Sequence, residues 1–483
     1  MMVTTIVLLR WDLRLSDNPA LFEASKKGAV IPVFLYTKDL FPRSIGGAKK
    51  WWLHRALESF SGELKRRYNV DLVIRIGEST LEELEKLVFE TKVSGIFFNK
   101  NYDPLTKNLE ERIIEHFTKK GLDVRSFKSF LLHEPEELRT DEGRPYIVFT
   151  PFWKKFQVEC VVPKPLGIPE RIVKSNVNVS SRNLEELKLL PTIKWYDEME
   201  KCWNVSETGA FERLKYFLDN AVDSYKDLRD RPDLDNTSML SPYLAAGMIS
   251  PRQIWHAVIE RYDGKLTEGA YAFLRELGWR EFSYHILYHN PSLVDANLRK
   301  EFDKFPWCWD RDEGFWKWTK GLTGIPIIDA GMRQLWRIGW MHNRVRMIVA
   351  SWLTKNMLKH WKLGEEWFWD TLVDADIANN VQGWQWTAGC GADAAPYFRI
   401  FNPVSQGRKF DPNGEYVKKW VPELRSLPPE YVHAPWEAPE MVLRSVGFEL
   451  GKDYPLPMLP LEESRKRALD AFQQLGKSRE RLL

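Results

Sequence analysis

Carboxylates, amides and large aromatic side chains are concentrated in one segment, residues 374–403 (DADIANNVQGWQWTAGCGADAAPYFRIFNP). It contains Asp374, Asp376 and Asn380, followed by Trp384 and Trp386. Such a set suits a flat, polar, electron-rich ligand better than a plain core. A flavin is a ligand of this kind, because its ring stacks on aromatic side chains and its edge needs amide and carboxylate partners.

A second candidate site is the segment NTSMLSPYLAAGMIS, where hydroxyl side chains stand before Pro242. Hydroxyls and backbone N–H groups at the start of a helix can bind an anion such as a pyrophosphate. The alternative is ordinary helix capping by Ser241.

Two further stretches place polar and aromatic side chains at helical spacing. In FLRELGWREF (273–282), Glu276 and Trp279 are three residues apart and share a helix face. The alternative is that Trp279 belongs to the core and Glu276 pairs with Arg280.

In WMHNRVRM (340–347), Asn343 and Met347 are four residues apart on one face. An asparagine both donates and accepts hydrogen bonds, so it can bridge two ligands. Arg344 can bind a phosphate. The alternative is that Arg344 and Arg346 form a solvated helix face.

Composition excludes few classes of function. The 483 residues suit two domains, and 70 basic against 67 acidic residues give a net charge of only +3, which is no evidence for nucleic-acid binding. A basic groove on one face stays compatible with it. Four widely spaced cysteines without a C-x-x-C predict neither a disulfide framework nor a zinc site and fit the cytosol. No stretch is long enough to span a membrane.

The order of elements predicts two domains and a connector. Five apolar, β-branched strands (TTIVLLR, VIPVFLY, DLVIRIG, GIFFNK and DVRSF) alternate with helical stretches over residues 1–130. This alternation predicts an α/β domain, a parallel sheet with helices on both faces. Proline recurs in a connector over 131–205, and residues 206–483 show only helical patterns, which predicts an all-α domain. NRVRMIVASWLTKNMLKHW is among the long amphipathic stretches.

Segment 374–403 closely resembles the signature region of the photolyase/cryptochrome flavoproteins, and the resemblance extends over nearly the whole chain. In the N-terminal part it covers RWDLRLSDNPAL and NKNYDP. It implies one FAD per chain, active as FADH⁻, and repair of cyclobutane pyrimidine dimers in DNA by electron transfer from the excited flavin. It also implies a monomer. The residues GCGADA (389–394) fit G-x-G-x-x-A but follow no strand, so they do not predict a dinucleotide site.

The resemblance assigns FAD contacts to Tyr225, to the Thr-Ser-x-Leu-Ser stretch and to the acids of the signature. The family's usual basic residue in that stretch is Met239 here. The residues implied are Tyr225, Thr237, Ser238, Met239, Leu240, Ser241, Phe273, Arg346, Asp374, Ala375, Asp376 and Asn380.

The resemblance also assigns catalytic and DNA-binding roles. It implies that the glutamate hydrogen-bonds a flipped dimer, that tryptophans contact the lesion and that basic residues contact DNA. The catalytic set is Glu276, Trp279, Asn343, Met347, Asn380 and Trp386, and the DNA-binding set is Arg229, Glu276, Trp279, Arg280, Asn343, Arg344, Arg399 and Gln406.

A chain of tryptophans that passes electrons between the flavin and the surface is implied as well. Trp384 begins it and Trp361 is its middle member. The last member is Trp307 or Trp309, and sequence does not decide between them. The alternative is that these are buried tryptophans without a redox task.

Three features favour repair over cryptochrome signalling, the competing hypothesis. Asn380 stands where plant cryptochromes place Asp, the Asn343/Met347 pair is typical of dimer repair, and only a short stretch follows the signature. Enzymes that repair (6-4) photoproducts carry His at positions 343 and 347. The resemblance also allows a second, antenna chromophore, for which reduced folate is favoured over deazaflavin.

Overall fold

The computed structural model describes residues 3–394 and 398–480, with side chains as far as Leu475. Residues 395–397 of the signature segment lie outside this description. The chain divides into two compact units. The first comprises Met1–Asp223, Ser238–Pro291 and Val373–Asp376, and the second comprises Ser224–Thr237, Ser292–Leu372 and Ile377–Leu483.

A parallel β-sheet organises the first unit, as the strand patterns predicted. Its strand order is β3-β2-β1-β4-β5, with the short β6 paired to β2. In the register, Ile6 lies opposite Ile31 on one side and Ile96 on the other. The strands are β1 Thr4–Leu9, β2 Ala29–Thr37, β3 Val73–Gly77, β4 Gly95–Asn99, β5 Asp123–Phe127 and β6 Val173–Lys174.

The central strands are buried on both faces, which explains their continuous apolar sequences. In β1, Ile6 and Leu8 join a core cluster on one face, while Val7 and Leu9, which point to the other face, are also fully buried. Helices follow the first four strands: α1 Pro19–Lys27, α2 Gly47–Tyr68, α3 Thr80–Thr91 and α4 Lys107–Lys119. The predicted fold class is confirmed for this part of the chain.

The connector contains more regular structure than its proline content indicated. Besides β6 it has a 3₁₀ turn at Leu184–Leu187 and two helices, α5 Phe149–Glu159 and α6 Asp197–Cys202. Phe149, Phe152 and Phe156 of α5 are fully buried. This helix was missed because Thr150 and Pro151 interrupt the apolar period at its start. The predicted boundaries at residues 130 and 205 stay predictions.

The described part of the chain after residue 206 contains helices and no strand, as predicted. They are α7 Glu207–Asn220, α8 Tyr225–Leu228, α9 Ser241–Ala245, α10 Pro251–Arg261, α11 Glu268–His289, α12 Glu313–Thr319, α13 Pro326–Ile338, α14 Asn343–Ser351, α15 Trp361–Thr371, α16 Ile377–Ala388, α17 Pro403–Phe410, α18 Glu415–Trp420, α19 Pro429–Val432, α20 Glu440–Ser445 and α21 Leu461–Glu480. Four 3₁₀ turns lie at Pro291–Val294, Lys300–Lys304, Pro422–Leu424 and Pro435–Glu437.

The prediction of one long helix over residues 343–361 was wrong. Helix α14 ends at Ser351 and continues into a π-helical turn, Trp352–Asn356, in which the Met357 N–H donates to the Trp352 carbonyl. Leu358 then has a positive φ of 54°. His360 starts α15 by accepting a hydrogen bond from the Lys362 N–H. The helical period continues through the break, so sequence alone did not reveal it.

No helix in the described ranges is long and apolar enough to cross a membrane.

Candidate functional site

In the first unit, hydroxyl groups from two helices hold the acidic start of the signature segment. The Ser241 hydroxyl donates to Asp374 Oδ2 over 2.6 Å, and the Tyr284 hydroxyl donates to Asp376. Ser241 therefore binds a carboxylate and does not cap its own helix, whose N-cap is Leu240. Both acids are largely buried, so their charges need such partners.

The loop that precedes Ser241 has the backbone of an anion-binding turn. Met239 has a positive φ of 50°, and Leu240 follows in the right-handed helical region. When a residue in the left-handed backbone region is followed by one in the right-handed region, their N–H groups point to the same side. The resulting concave surface binds phosphates. Arg213 of α7 donates to the Ser238 carbonyl over 2.9 Å. It brings to this loop a positive charge that Met239 does not supply.

A buried lysine accompanies the two acids. Lys49 of α2 is 5% exposed, donates to the Ala375 carbonyl and lies 4.2 Å from the centre of the Trp11 ring. Burial lowers the pKa of Lys49 to about 8, and the charges of Asp376 and Asp374 oppose that shift. Lys49 is thus a cation that lies close enough to interact with these carboxylates, and no motif in the sequence marked it.

Helix α11 carries the predicted lesion-contacting residues of this unit. The Trp279 ring stacks on Phe149, with centres 3.8 Å apart and planes 9° from parallel. Trp279 and Glu276 are only partly buried. Phe273 is buried against Phe217, 4.5 Å between ring centres. Trp279 is therefore held from one side and partly open to solvent.

Arg280 does not pair with Glu276. Its Nη1 lies 3.0 Å from Glu281 Oε1, and its guanidinium lies 4.5 Å from the Phe130 ring centre. It is 8% exposed. A DNA phosphate needs an accessible cation, so the placement of Arg280 does not support the predicted DNA contact.

In the second unit, Asn380 of α16 is held in one orientation by α15. Its Nδ2 donates to the Glu365 carbonyl over 3.0 Å and to Glu365 Oε1 over 2.8 Å. Nδ2 makes both hydrogen bonds that the Asn380 side chain forms with the described residues, so the side-chain Oδ1 remains available to accept one. Asn380 is 9% exposed.

A buried amide donor lies beside Thr237. The Ser224 hydroxyl donates to Asn236 Oδ1 over 2.9 Å, while Asn236 Nδ2 is buried without a partner among the described residues. Asn236 directly precedes the predicted phosphate-binding stretch, and Ser224 directly precedes Tyr225. Tyr225 is buried and lies 5.3 Å from the guanidinium of Arg229.

Trp384 is enclosed by aromatic rings and by the helix that carries Trp361. It is 2% exposed and lies 4.9 Å from the Phe368 ring centre. Its indole N–H is buried and has no partner in the described ranges. Trp361 is fully buried, and its Nε1 donates to Asn297 Oδ1 over 2.7 Å.

The structure distinguishes the two surface candidates. Trp309 is 57% exposed and stacks on His360, with ring centres 3.7 Å apart and planes 17° from parallel. His360 in turn lies 5.3 Å from Trp361. Trp307 is less exposed, meets His360 edge-on at 5.5 Å and donates its Nε1 to the Phe302 carbonyl.

Helix α14 begins at Asn343, which is exposed, and Met347 is partly buried. Arg344 Nη2 pairs with Asp230 over 2.5 Å, and the guanidinium lies 4.5 Å from the Phe410 ring centre. Arg346 Nε donates to the Met341 carbonyl over 2.7 Å. Neither arginine is therefore simply a solvated side chain.

The remaining predicted residues lie near the end of the signature segment. Trp386 is partly buried and donates to the Asp393 carbonyl over 3.0 Å. Arg399 is exposed, and Gln406 is partly buried with an Oε1 that has no partner among the described residues.

An FAD needs donors for its phosphates and polar partners for its ring, and each unit offers groups of this chemistry. In the first unit, the Met239–Leu240 turn suits phosphate oxygens. In the second unit, the unpartnered Asn236 amide also suits a phosphate oxygen, and Asn380 Oδ1 suits a ring N–H. Sequence analysis missed the residues that position these groups: Lys49, Arg213, Tyr284 and Glu365. None of these four residues stands in a motif, so only the fold reveals them.

Comparison with known proteins gives consistent results. Two family models match, one described as DNA photolyase over residues 5–170 and one as the FAD binding domain of DNA photolyase over 273–474. A deoxyribodipyrimidine photo-lyase of Agrobacterium fabrum is 45% identical over 98% of both chains. The crystal structure of a bacterial class III photolyase from Agrobacterium tumefaciens, 44% identical, superposes with a TM-score of 0.95 and covers 99% of this chain and 98% of that chain.

A cryptochrome is also related. Cryptochrome-1 of Arabidopsis thaliana is 36% identical over 98% of this chain and 70% of its own length. The identity to the photo-lyase is higher and extends over the full length of both proteins. On the matched models, the full-length identity and the fold, the chain belongs to the photolyase/cryptochrome family and carries an FAD-binding domain of the photolyase type.

Proposed function

We propose that this chain is a deoxyribodipyrimidine photo-lyase, which uses blue light to split cyclobutane pyrimidine dimers in DNA. The observation that carries the proposal is the fixed orientation of Asn380, whose Nδ2 is held by Glu365. Reduced FAD bears a hydrogen on ring N5 and needs an acceptor there, which Asn380 Oδ1 would supply. This amide orientation favours the reduced flavin, and the reduced flavin is the form needed for repair.

When bound and reduced, FAD supplies an excited-state electron to the dimer, and the protein supplies binding, orientation and electrostatics. Asp374 and Asp376, which are fixed by Ser241 and Tyr284, would accept hydrogen bonds from the ring edge. Lys49 contributes a positive charge beside them. The backbone N–H groups of the loop Thr237–Ser241 would hold the phosphates.

We propose that a dimer leaves the DNA stack, which is less costly for a poorly paired base, and meets Glu276, Trp279, Asn343, Met347 and Trp386. Trp279 is suited to this because Phe149 fixes its ring from behind. Arg229, Arg344, Arg399 and Gln406 are proposed to contact the DNA backbone, with an affinity that falls as salt rises. The Asn343/Met347 pair argues against (6-4) repair.

The experiment that tests the function is a repair assay. Photoreduced protein is mixed with an oligonucleotide that carries one thymine cyclobutane dimer, and parallel samples are kept in blue light and in darkness. Restoration of two thymines in the light alone is expected. A protein that binds reducible FAD but repairs nothing would contradict the proposal and favour a signalling photoreceptor.

We propose that Trp309 ends the electron-transfer chain that starts at Trp384 and passes Trp361. Its ring is exposed and stacks on His360, which also lies beside Trp361. Trp309→Phe is expected to slow photoreduction of oxidised flavin by about tenfold, equivalent to about 1.4 kcal/mol of barrier. Absorbance under blue light with an external reductant measures it.

Trp307→Phe is the matched control, since that ring meets His360 only edge-on. Its photoreduction rate should stay within a factor of about two of the parent protein, a difference of about 0.4 kcal/mol. A larger effect of Trp307→Phe than of Trp309→Phe would reverse the assignment.

Arg213 is expected to contribute to FAD affinity because it contacts the loop Thr237–Ser241, which is proposed to hold the phosphates. Arg213→Met removes the hydrogen bond to the Ser238 carbonyl and a positive charge beside the loop. The Kd for FAD should rise about tenfold, as expected for one charge-assisted contact. Fluorescence titration of apoprotein with FAD measures it, and Lys215→Met, on the same helix but paired with Asp219 and exposed, is the control. Equal Kd values in the two variants would contradict this role.

We also propose that the protein is monomeric, works in the cytosol and carries an antenna chromophore, a reduced folate in preference to a deazaflavin. The four cysteines are free thiols, which agrees with a reducing compartment. Absorption spectra of the pigments released by denaturation identify the antenna, since folate and deazaflavin absorb at different wavelengths. Release of FAD alone would refute the antenna proposal.

A further inference from the structure

A small cavity in the second unit is lined by positive charge. It has a volume of about 40 Å³, and Arg299, Lys355 and Arg399 contribute to its lining together with Trp386, Thr387 and Phe398. No carboxylate lines it among the described residues. Since one water needs about 10–15 Å³ of such space, the cavity has room for about three waters or one small anion.

Lys355 is the unusual member of this lining. It lies in the π-helical turn Trp352–Asn356, a backbone form that often occurs at functional sites. It is 3% exposed, donates to the Arg399 carbonyl and has its Nζ 4.4 Å from the Phe398 ring centre. In the described ranges it forms no ion pair with a carboxylate.

A buried ammonium group without a counter-ion is costly, because burial removes its hydration. Burial, together with the neighbouring Arg399 charge, lowers the pKa of Lys355 to about 7. Cys390, the other titratable neighbour, has its pKa raised by burial and is a neutral thiol. Arg299 already pairs with Glu301 outside the lining. Lys355 therefore brings to the cavity a positive charge that no carboxylate of the described lining balances.

We propose that this cavity binds a small oxyanion of the phosphate type, which pairs with Lys355 and is also contacted by Arg299, Arg399 and the Thr387 hydroxyl. Guanidinium and ammonium groups are the usual partners of such anions. The oxyanion is either free phosphate or a phosphate of the DNA backbone. The second source rests on the proposed function, because Arg399 and Trp386 are among its DNA- and dimer-contacting residues.

The test is calorimetric titration of the whole protein with sodium sulfate, without DNA or light, at constant ionic strength. Sulfate mimics phosphate and does not itself titrate near neutral pH. Lys355→Met is expected to weaken sulfate binding at least about tenfold, as for a lost charge-assisted hydrogen bond. Lys359→Met is the matched control, since Lys359 is equally buried but pairs with Asp312 and does not line the cavity.

Proton uptake gives a second readout that needs no variant. Below pH 7 Lys355 is mostly protonated, so sulfate should bind with little proton uptake. At pH 8 it is mostly neutral, and since an anion favours the charged form, binding should be weaker and should take up a proton. Titrations in two buffers of different ionisation enthalpy measure the proton uptake, because the observed binding enthalpy then differs between the buffers. Absence of binding at pH 6.5, or binding at pH 8 without proton uptake, would overturn the proposal.

A final measurement separates the two sources. If the oxyanion is a DNA phosphate, sulfate at constant ionic strength should weaken DNA binding by the parent protein more than by Lys355→Met. If sulfate binds but does not compete with DNA, the cavity takes a free anion. Because sulfate binding is measured without repair, a failure of the proposed function leaves this test intact.

Discussion

Replacing Glu365 by leucine should destabilise the second unit and make its flavin harder to reduce. Glu365 is fully buried, accepts from Asn380 Nδ2 and pairs with Lys362 over 3.2 Å. Without it, Asn380 Nδ2 loses a partner. Among the described residues, Lys362 then keeps the Val294 carbonyl and the exposed Asp295 as its hydrogen-bonding and charged partners. Loss of a buried partner of this kind costs about 2–3 kcal/mol.

The effect on the flavin follows from the same hydrogen bond. Among the described residues, only the main-chain carbonyl of residue 365 then holds Nδ2, so the Asn380 amide can turn its N–H₂ toward ring N5 more easily. That orientation suits the oxidised flavin, so the reduction potential should fall. Spectroelectrochemical titration of the holoprotein measures the potential, and urea unfolding measures the stability. Glu365→Gln keeps an amide oxygen for Asn380 and should retain most of the potential. A leucine variant with the parent's potential would show that the Glu365 carboxylate is not needed to orient Asn380.

The α/β domain was predictable because each of its strands is a local signal. Residues such as Ile6, Ile31 and Ile96 stand in short apolar runs bounded by polar turns, and the register pairs them directly. The crossover rule then leaves few topologies. The two-residue strand Val173–Lys174 was not predicted, because a strand of two residues is too short to show hydrophobic periodicity.

The candidate site was predictable only in part. Its predicted residues stand in motifs that resemble a known family, whereas the residues that orient them are scattered along the chain. Lys49 comes from α2 and donates to Ala375, 326 residues later. Glu365 lies on α15 and orients Asn380 on the next helix. Partners of this kind are set by tertiary packing, and neither periodicity nor spacing carries information about them.

The end of the regular helix at residue 351 is a backbone feature that the sequence did not reveal either. Every residue of NRVRMIVASWLTKNMLKHW is compatible with a helix. What ends the regular helix is the π-helical turn, the positive φ of Leu358 and the capping of α15 by His360. These features place Lys355 in its cavity and His360 beside Trp361. The least predictable backbone in this unit therefore positions residues of the proposed anion site and of the proposed electron-transfer chain.

Gly364→Ala should destabilise the protein, although alanine favours helices. A Cβ at Gly364 would lie 2.1, 2.4 and 2.6 Å from three ring carbons of Trp384. That ring is 2% exposed and is held against Phe368 and Trp318, so it cannot easily move away. Overpacking of this kind costs about 1–3 kcal/mol, and Tm should fall by roughly 2–4 °C for each kcal/mol in a domain of about 150–250 residues.

Gly383→Ala separates packing from helix propensity. Gly383 lies on α16 beside Trp384 and is exposed, and a Cβ added there would meet no heavy atom of the described residues within 4 Å. It should gain about 0.5–1 kcal/mol from the helix preference of alanine, a gain that Gly364→Ala shares. The difference in Tm between the two variants therefore isolates the contact with Trp384. A displaced Trp384 ring should also slow photoreduction, and only in Gly364→Ala. Equal Tm values and equal photoreduction rates in the two variants would show that the Trp384 ring accommodates the added Cβ without strain.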